Sequence, residues 1–226
     1  MLNYSVDRSA LKSVLVYITL IFGLWIVYVS FLYPYVESRP NLAARIFLNE
    51  IARTCIFVTP VFLYLKCVSR EEPLRFLKLR TRVSRGVLWG TVAAVAYGSL
   101  VLVRAALIKE GGINPKPVPI DAWFTSLTLS TLIEEIAFRG FILQKLEQVV
   151  NFWVANVITS CLFVAIHFPG WIIVGRSMLV PDKLIPMGEI FLLGLLLGYL
   201  LKRTISLWSC IILHAINNLV SIVVFS

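Results

Sequence analysis

Charge is what this sequence has least of. Of its 226 residues only 15% are Asp, Glu, Lys or Arg, while 59% are hydrophobic. A water-soluble domain carries about a quarter charged residues and about half apolar ones, so the composition points away from a soluble fold and towards a membrane protein. Histidine is scarcer still, with two in the whole chain. The four cysteines, Cys55, Cys67, Cys161 and Cys210, lie far apart without Cys-x-x-Cys spacing. That spacing argues against both a disulfide framework and a thiolate metal centre. There is no internal repeat and no low-complexity tract.

What is present is long apolar runs. Val14 to Val36 holds no charge, and Gly86 to Val103 repeats the pattern. A membrane-crossing helix needs about 20 mostly apolar residues, and both runs qualify. The first is too long for a signal-peptide core and lacks a small-residue cleavage pattern. Hydropathy predicts an all-α polytopic transmembrane bundle of about 7–8 spans, near 13–36, 43–67, 85–108, 122–146, 152–168, 186–201 and 204–225. The stretch 170–186, broken by Gly170, Pro181 and Pro186, fits either a loop or an eighth short span. Residues 1–119 are expected to supply N-terminal helices and a basic loop, and 120–226 a transmembrane core that carries the motifs described below, within one membrane domain.

The net charge of +9 would suggest nucleic acid in a soluble protein. Here the basic residues collect between apolar runs, chiefly Lys66, Arg70, Arg75, Lys78, Arg80, Arg82 and Arg85. The positive-inside bias accounts for such a loop and places it, the N-terminus and Lys202-Arg203 on the cytoplasmic side. Membrane lipids, not nucleic acid, are the expected partners of that charge. The short loops and small size suit a prokaryotic plasma membrane.

Ionisable side chains within the hydrocarbon cost about 2.5–3.5 kcal/mol each on insertion scales, so they point to function. The run Ser130-Thr131-Leu132-Ile133-Glu134-Glu135-Ile136-Ala137-Phe138-Arg139-Gly140 holds three of them. Glu135 and Arg139 are i,i+4 neighbours and can pair. Glu134 is turned by about 100° and must find partners on other helices. Both histidines also fall at membrane depth, His167 ending Phe163-x-x-x-His167 and His214 opening His214-x-x-x-Asn218. Elsewhere, Glu50 and Arg53 are expected to pair with each other, Arg104 and Lys109 to reach the interface, Glu189 to lie at the interface, and the tryptophans to anchor or pack.

Glu134-Glu135-x-x-x-Arg139, Phe163-x-x-x-His167 and His214-x-x-x-Asn218, in that order, resemble the motifs of the CAAX protease and bacteriocin-processing family. It is also called the Abi, or type II CAAX prenyl endopeptidase-like, family. The resemblance covers roughly 120–222. It implies an intramembrane endopeptidase acting on a membrane-associated peptide or protein, whether a lipidated CAAX-type substrate or a bacteriocin or peptide precursor. By that resemblance Glu134 is the base for a water, and His167, or His167 with His214, assists that water or the leaving group. His214 and Asn218 stabilise the oxyanion, while Glu135 and Arg139 support the site. Neutral imidazole and a carboxamide suit that task because they add little charge to the membrane. Glu134, His167 and His214 also form the His₂Glu set of catalytic zinc sites, without a His-Glu-x-x-His helix, so a divalent metal such as zinc stays open beside a glutamate-activated water. Two other functions compete. A transporter or proton relay would use the same residue types but lacks a visible inverted repeat. A non-catalytic immunity or scaffold protein would not need the complete motif set.

Overall fold

The computed structural model describes residues 8–108, 117–118, 120–173 and 184–225. Among them there is no strand. The helices are α1 (8–37), α2 (Leu42–Val68), α3 (Pro73–Phe76), α4 (Val83–Ile108), α5 (120–146), α6 (Phe152–Ile173), α7 (Leu184–Thr204) and α8 (Trp208–Phe225). The expected all-α bundle is what forms. Ser9–Glu37, α2, Val83–Leu107, α6 and α7 are long and apolar enough to cross a membrane, and Trp208–Val224 is a shorter apolar helix. α5 is as long as its neighbours but carries Glu134, Glu135 and Arg139 at its centre. The segment in doubt, 170–186, lies outside the described residues from 174 to 183. The seventh expected span starts later than hydropathy suggested, because α7 ends at Thr204 and Ile205 turns into the left-handed region at φ 57°. α8 then begins at Trp208.

Local chemistry explains the helix ends and irregularities. Asn41 and Asn151 cap α2 and α6 by accepting from Ala44 N and Val154 N, both at 3.1 Å. Glu72 caps α3 inside the basic loop, accepting from Leu74 N and Arg75 N. Proline lacks an N–H and its ring crowds the carbonyl four residues back. Pro34 and Pro60 each follow a wider, π-type turn, Tyr28–Leu32 and Thr54–Val58, which relieves that crowding without ending the helix. α5 has such turns with no proline, at Thr125–Leu129 and Ile136–Leu143, on either side of Glu134-Glu135. π-type turns concentrate at functional sites.

The packing suits lipid rather than water. Large apolar side chains such as Leu15, Phe31, Leu88, Leu100 and Leu107 face outward. Glu135, Arg139, Asn156, Ser160 and Ser209 are buried. α4 and α8 make the most extensive helix pair, and α6 and α7 the next between separate helices. Small residues let these backbones approach, as membrane helices require. Gly86 and Gly90 of α4 lie against Ser206 and Ser209, and Gly194 and Gly198 of α7 against Ser160 and Asn156. The four cysteines are free thiols, as their spacing predicted.

Candidate active site

α5 carries the central carboxylates. Glu135 is fully buried, and its Oε1 accepts from Arg139 Nη1 at 3.0 Å, the expected i,i+4 pair. The same oxygen lies 2.8 Å from His214 Nδ1 of α8. Glu135 paired with an arginine is a carboxylate and only accepts, so Nδ1 of His214 carries a proton and Nε2 faces away from it. Nε2 of His214 is 3.9 Å from Glu134 Oε2. That separation is too long for a hydrogen bond and short enough for one water to touch both atoms.

Glu134 does find its partner on another helix. Arg53 of α2 donates from Nη2 to Glu134 Oε1 at 2.7 Å and from Nη1 to Ser130 Oγ. The expected Glu50–Arg53 pair is the looser one, at 4.0 Å. By sequence spacing Arg53 is the expected local partner of Glu50. It instead joins the N-terminal helices to the carboxylate cluster. Trp25 of α1 adds a second such link, donating from Nε1 to Ile166 O at 3.0 Å beside His167.

His167 lies in the turn, with Ile166, that divides α6 into Phe152–Ala165 and Phe168–Ile173. Its Nδ1 is 2.7 Å from Phe163 O. A carbonyl only accepts, so Nδ1 bears the proton and Nε2 of the neutral ring is an acceptor. Phe163 explains the aromatic position of its motif. Its ring meets His167 and His214 edge-on, at 5.3 and 5.6 Å, and lies under the Arg139 guanidinium at 4.1 Å. His167 borders two cavities. One of about 190 Å³ includes Arg53, Glu134 and Trp171, and one of about 270 Å³ includes His214, Asn217, Asn218 and Glu189.

Asn218 reaches the cluster but is engaged there. Its Nδ2 donates to Ser126 O at 2.9 Å and to Thr131 Oγ1 at 3.3 Å. Asn217 donates to its Oδ1 at 3.3 Å. Glu134, Glu135, Arg139, His167, His214 and Asn218 are therefore gathered at the junction of α5, α6 and α8. Arg104 and Glu189, read separately from sequence, pair with each other.

Residues 116–220 match a family model described as type II CAAX prenyl endopeptidase Rce1-like. The match covers a little under half of the chain. No curated protein and no solved structure matches the chain. The Rce1-like match spans all three motifs and agrees with the resemblance they carry. With five apolar helices of crossing length, it makes the chain an integral membrane protein. It also supports peptidase chemistry on peptide or protein substrates in membranes. Arg53 and Trp25 lie outside the Rce1-like region.

Among the described residues no group of three or more His, Cys, Asp and Glu side chains is disposed to hold a metal ion. Arg53 holds Glu134 Oε1, and its guanidinium would oppose a divalent cation at that carboxylate. Glu134, His167 and His214 in this arrangement do not fit a metal.

Proposed function

We propose that the chain is an intramembrane endopeptidase that hydrolyses a peptide bond of a membrane-associated peptide or protein. Its substrate is a CAAX-type lipidated protein or a bacteriocin or peptide precursor. The observation that carries this reading is the 3.9 Å gap between Glu134 Oε2 and His214 Nε2. A water touching both lies beside a base and a potential oxyanion donor, the two groups that peptide hydrolysis needs closest to the attacked carbonyl.

Glu134 takes a proton from the water as its oxygen bonds to the carbonyl carbon. His167 Nε2 accepts the water's other hydrogen and fixes its orientation. The C–N bond then breaks, and the leaving nitrogen receives the proton from Glu134. The hydrogen bond to Glu135 changes the role expected of His214. With Nδ1 protonated, Nε2 donates to the oxyanion only as an imidazolium, whose charge Glu135 balances. Asn218 joins as a donor by exchanging its longer bond, to Thr131 Oγ1, for the oxyanion. Glu135 and Arg139 hold His214 in place. The N-terminus and basic loop lie on the cytoplasmic side by the positive-inside bias, and the short loops and small size suit a prokaryotic plasma membrane.

The test is hydrolysis of a quenched peptide library by purified protein in detergent. Glu134→Ala and His167→Ala each reduce kcat by about 10²–10⁴-fold, the range for removing acid–base groups. Both variants cleaving at the wild-type rate would sink the assignment. Wild-type protein that hydrolyses nothing would favour a transport or scaffold role. Metal analysis of the active sample checks the misfit of these residues to a metal, and a stoichiometric bound metal would overturn the glutamate-activated water.

A further inference from the structure

Arg53 lies between two cavities. One is the 190 Å³ space that holds Glu134 and His167. The other, of about 330 Å³, is polar and is lined by Glu37, Arg45, Asn49, Glu50, Ser126 and Ser130 among others. The Arg53 guanidinium bonds Glu134 on the first side and Ser130 on the second, where Glu50 is 4.0 Å away. Glu50 is buried, one turn before Arg53 on α2. Among the described residues neither Glu50 Oε2 nor Arg53 Nε has a hydrogen-bond partner. A buried carboxylate oxygen and a buried guanidinium N–H without partners, on side chains already 4.0 Å apart, form an incomplete ion pair.

We propose that Arg53 is a two-position latch on Glu134. In the position seen, it neutralises Glu134 and ties up Oε1, which makes the carboxylate a poor proton acceptor. In the working position it turns towards Glu50, and the two unpartnered atoms satisfy each other. Glu134 is released to the water. A second carboxylate is needed for this motion because an arginine moved away from its only partner would leave an uncompensated buried charge. Arg53 is thus a positioning residue, acting through Glu134 rather than on the substrate. Peptide bound in the adjoining cavity shifts the arginine only to the extent that it favours the released arrangement. The proposal rests on Glu134 being the base.

The experiment is an epistasis series in the full-length protein in detergent, with kcat, KM and the thermal midpoint measured for each variant. Glu50→Gln removes the second anchor and leaves Arg53 on Glu134, so kcat falls by about tenfold or more while KM changes by less than about twofold. Adding Arg53→Gln frees Glu134, so the double variant is faster than Glu50→Gln alone. A purely structural role for the Glu50–Arg53–Glu134 cluster gives the opposite order, with the double variant no faster than the single. If Glu50→Gln does not fold, Arg53→Gln alone decides. The latch requires it to cleave at least about tenfold faster than Glu134→Ala, and equal rates overturn it. Glu134→Ala at the wild-type rate removes the base and the latch together. An inactive Glu134→Ala beside a wild-type-like Glu50→Gln removes the latch alone.

Discussion

Glu135 and Arg139 are almost wholly enclosed, at 0% and 1% exposure, yet they are formally charged. Two groups share the carboxylate's Oε1, Arg139 at 3.0 Å and His214 at 2.8 Å. Glu135 Oε2 and Arg139 Nη2 have no hydrogen-bond partner among the described residues. An apolar pair of similar volume is often no less stable than such a buried ion pair, whereas removing one partner costs about 3–5 kcal/mol. Arg139→Met is therefore expected to lower the thermal midpoint sharply in detergent, and Glu135→Met likewise. The double variant Glu135→Met/Arg139→Met recovers most of that loss. It does not recover hydrolysis, because His214 no longer has the carboxylate that sets its tautomer. Stability and activity regained together would show that Glu135 has no role beyond pairing Arg139.

At the scale of helices, the depth of the bundle depends on how closely α4 approaches α8. A Cβ built on Gly90 would stand 2.8 Å from Ser209 Cα and 3.0 Å from Ser209 O, both backbone atoms that cannot rotate away. Gly90→Ala must push the two helices apart, at a cost of about 1–3 kcal/mol for overpacking. Hydrolysis falls with it, since α8 carries His214 and Asn218. Gly23 on α1 has nothing within 4 Å of the same added atom. Gly23→Ala leaves the midpoint unchanged or raises it. Thermal unfolding of the two variants side by side checks the opposite signs. The helices themselves were legible in sequence, because long uncharged runs leave few alternatives in lipid. The π-type turn over Ile136–Leu143 was not. No proline marks it, and neither Arg139 nor Gly140 within it distinguishes a π-type turn from a regular helix. The caps at Asn41 and Asn151 were visible as residue types only, since a cap is defined by the backbone angle that the fold imposes.

Across the whole molecule, the candidate site is assembled from both halves of the chain, although the motifs lie in one. Glu134, His167, His214 and Asn218 stood out in sequence because each is a polar residue in an apolar stretch, at a spacing that places motif partners on one helix face. Arg53 offered no such signal. Its nearest acidic neighbour in sequence, Glu50, suggested a local pair, and its contact with Glu134 spans 81 positions that only tertiary packing closes. Trp25 was equally silent, reaching the Ile166 carbonyl across 141 positions. The consequence can be tested by dividing the chain between α4 and α5. A fragment from residue 116 onward holds every motif and the entire Rce1-like match. It is nonetheless expected to be inactive when produced alone, because the turn at His167 lacks Trp25 and α8 lacks the α4 face it packs on. Co-production with residues 1–115 restores cleavage if the fragments associate in the membrane, as the α4–α8 contact favours. Co-purification of the two fragments reports association independently of activity. A C-terminal fragment that cleaves at the full-length rate by itself would show that the N-terminal helices are dispensable to the site.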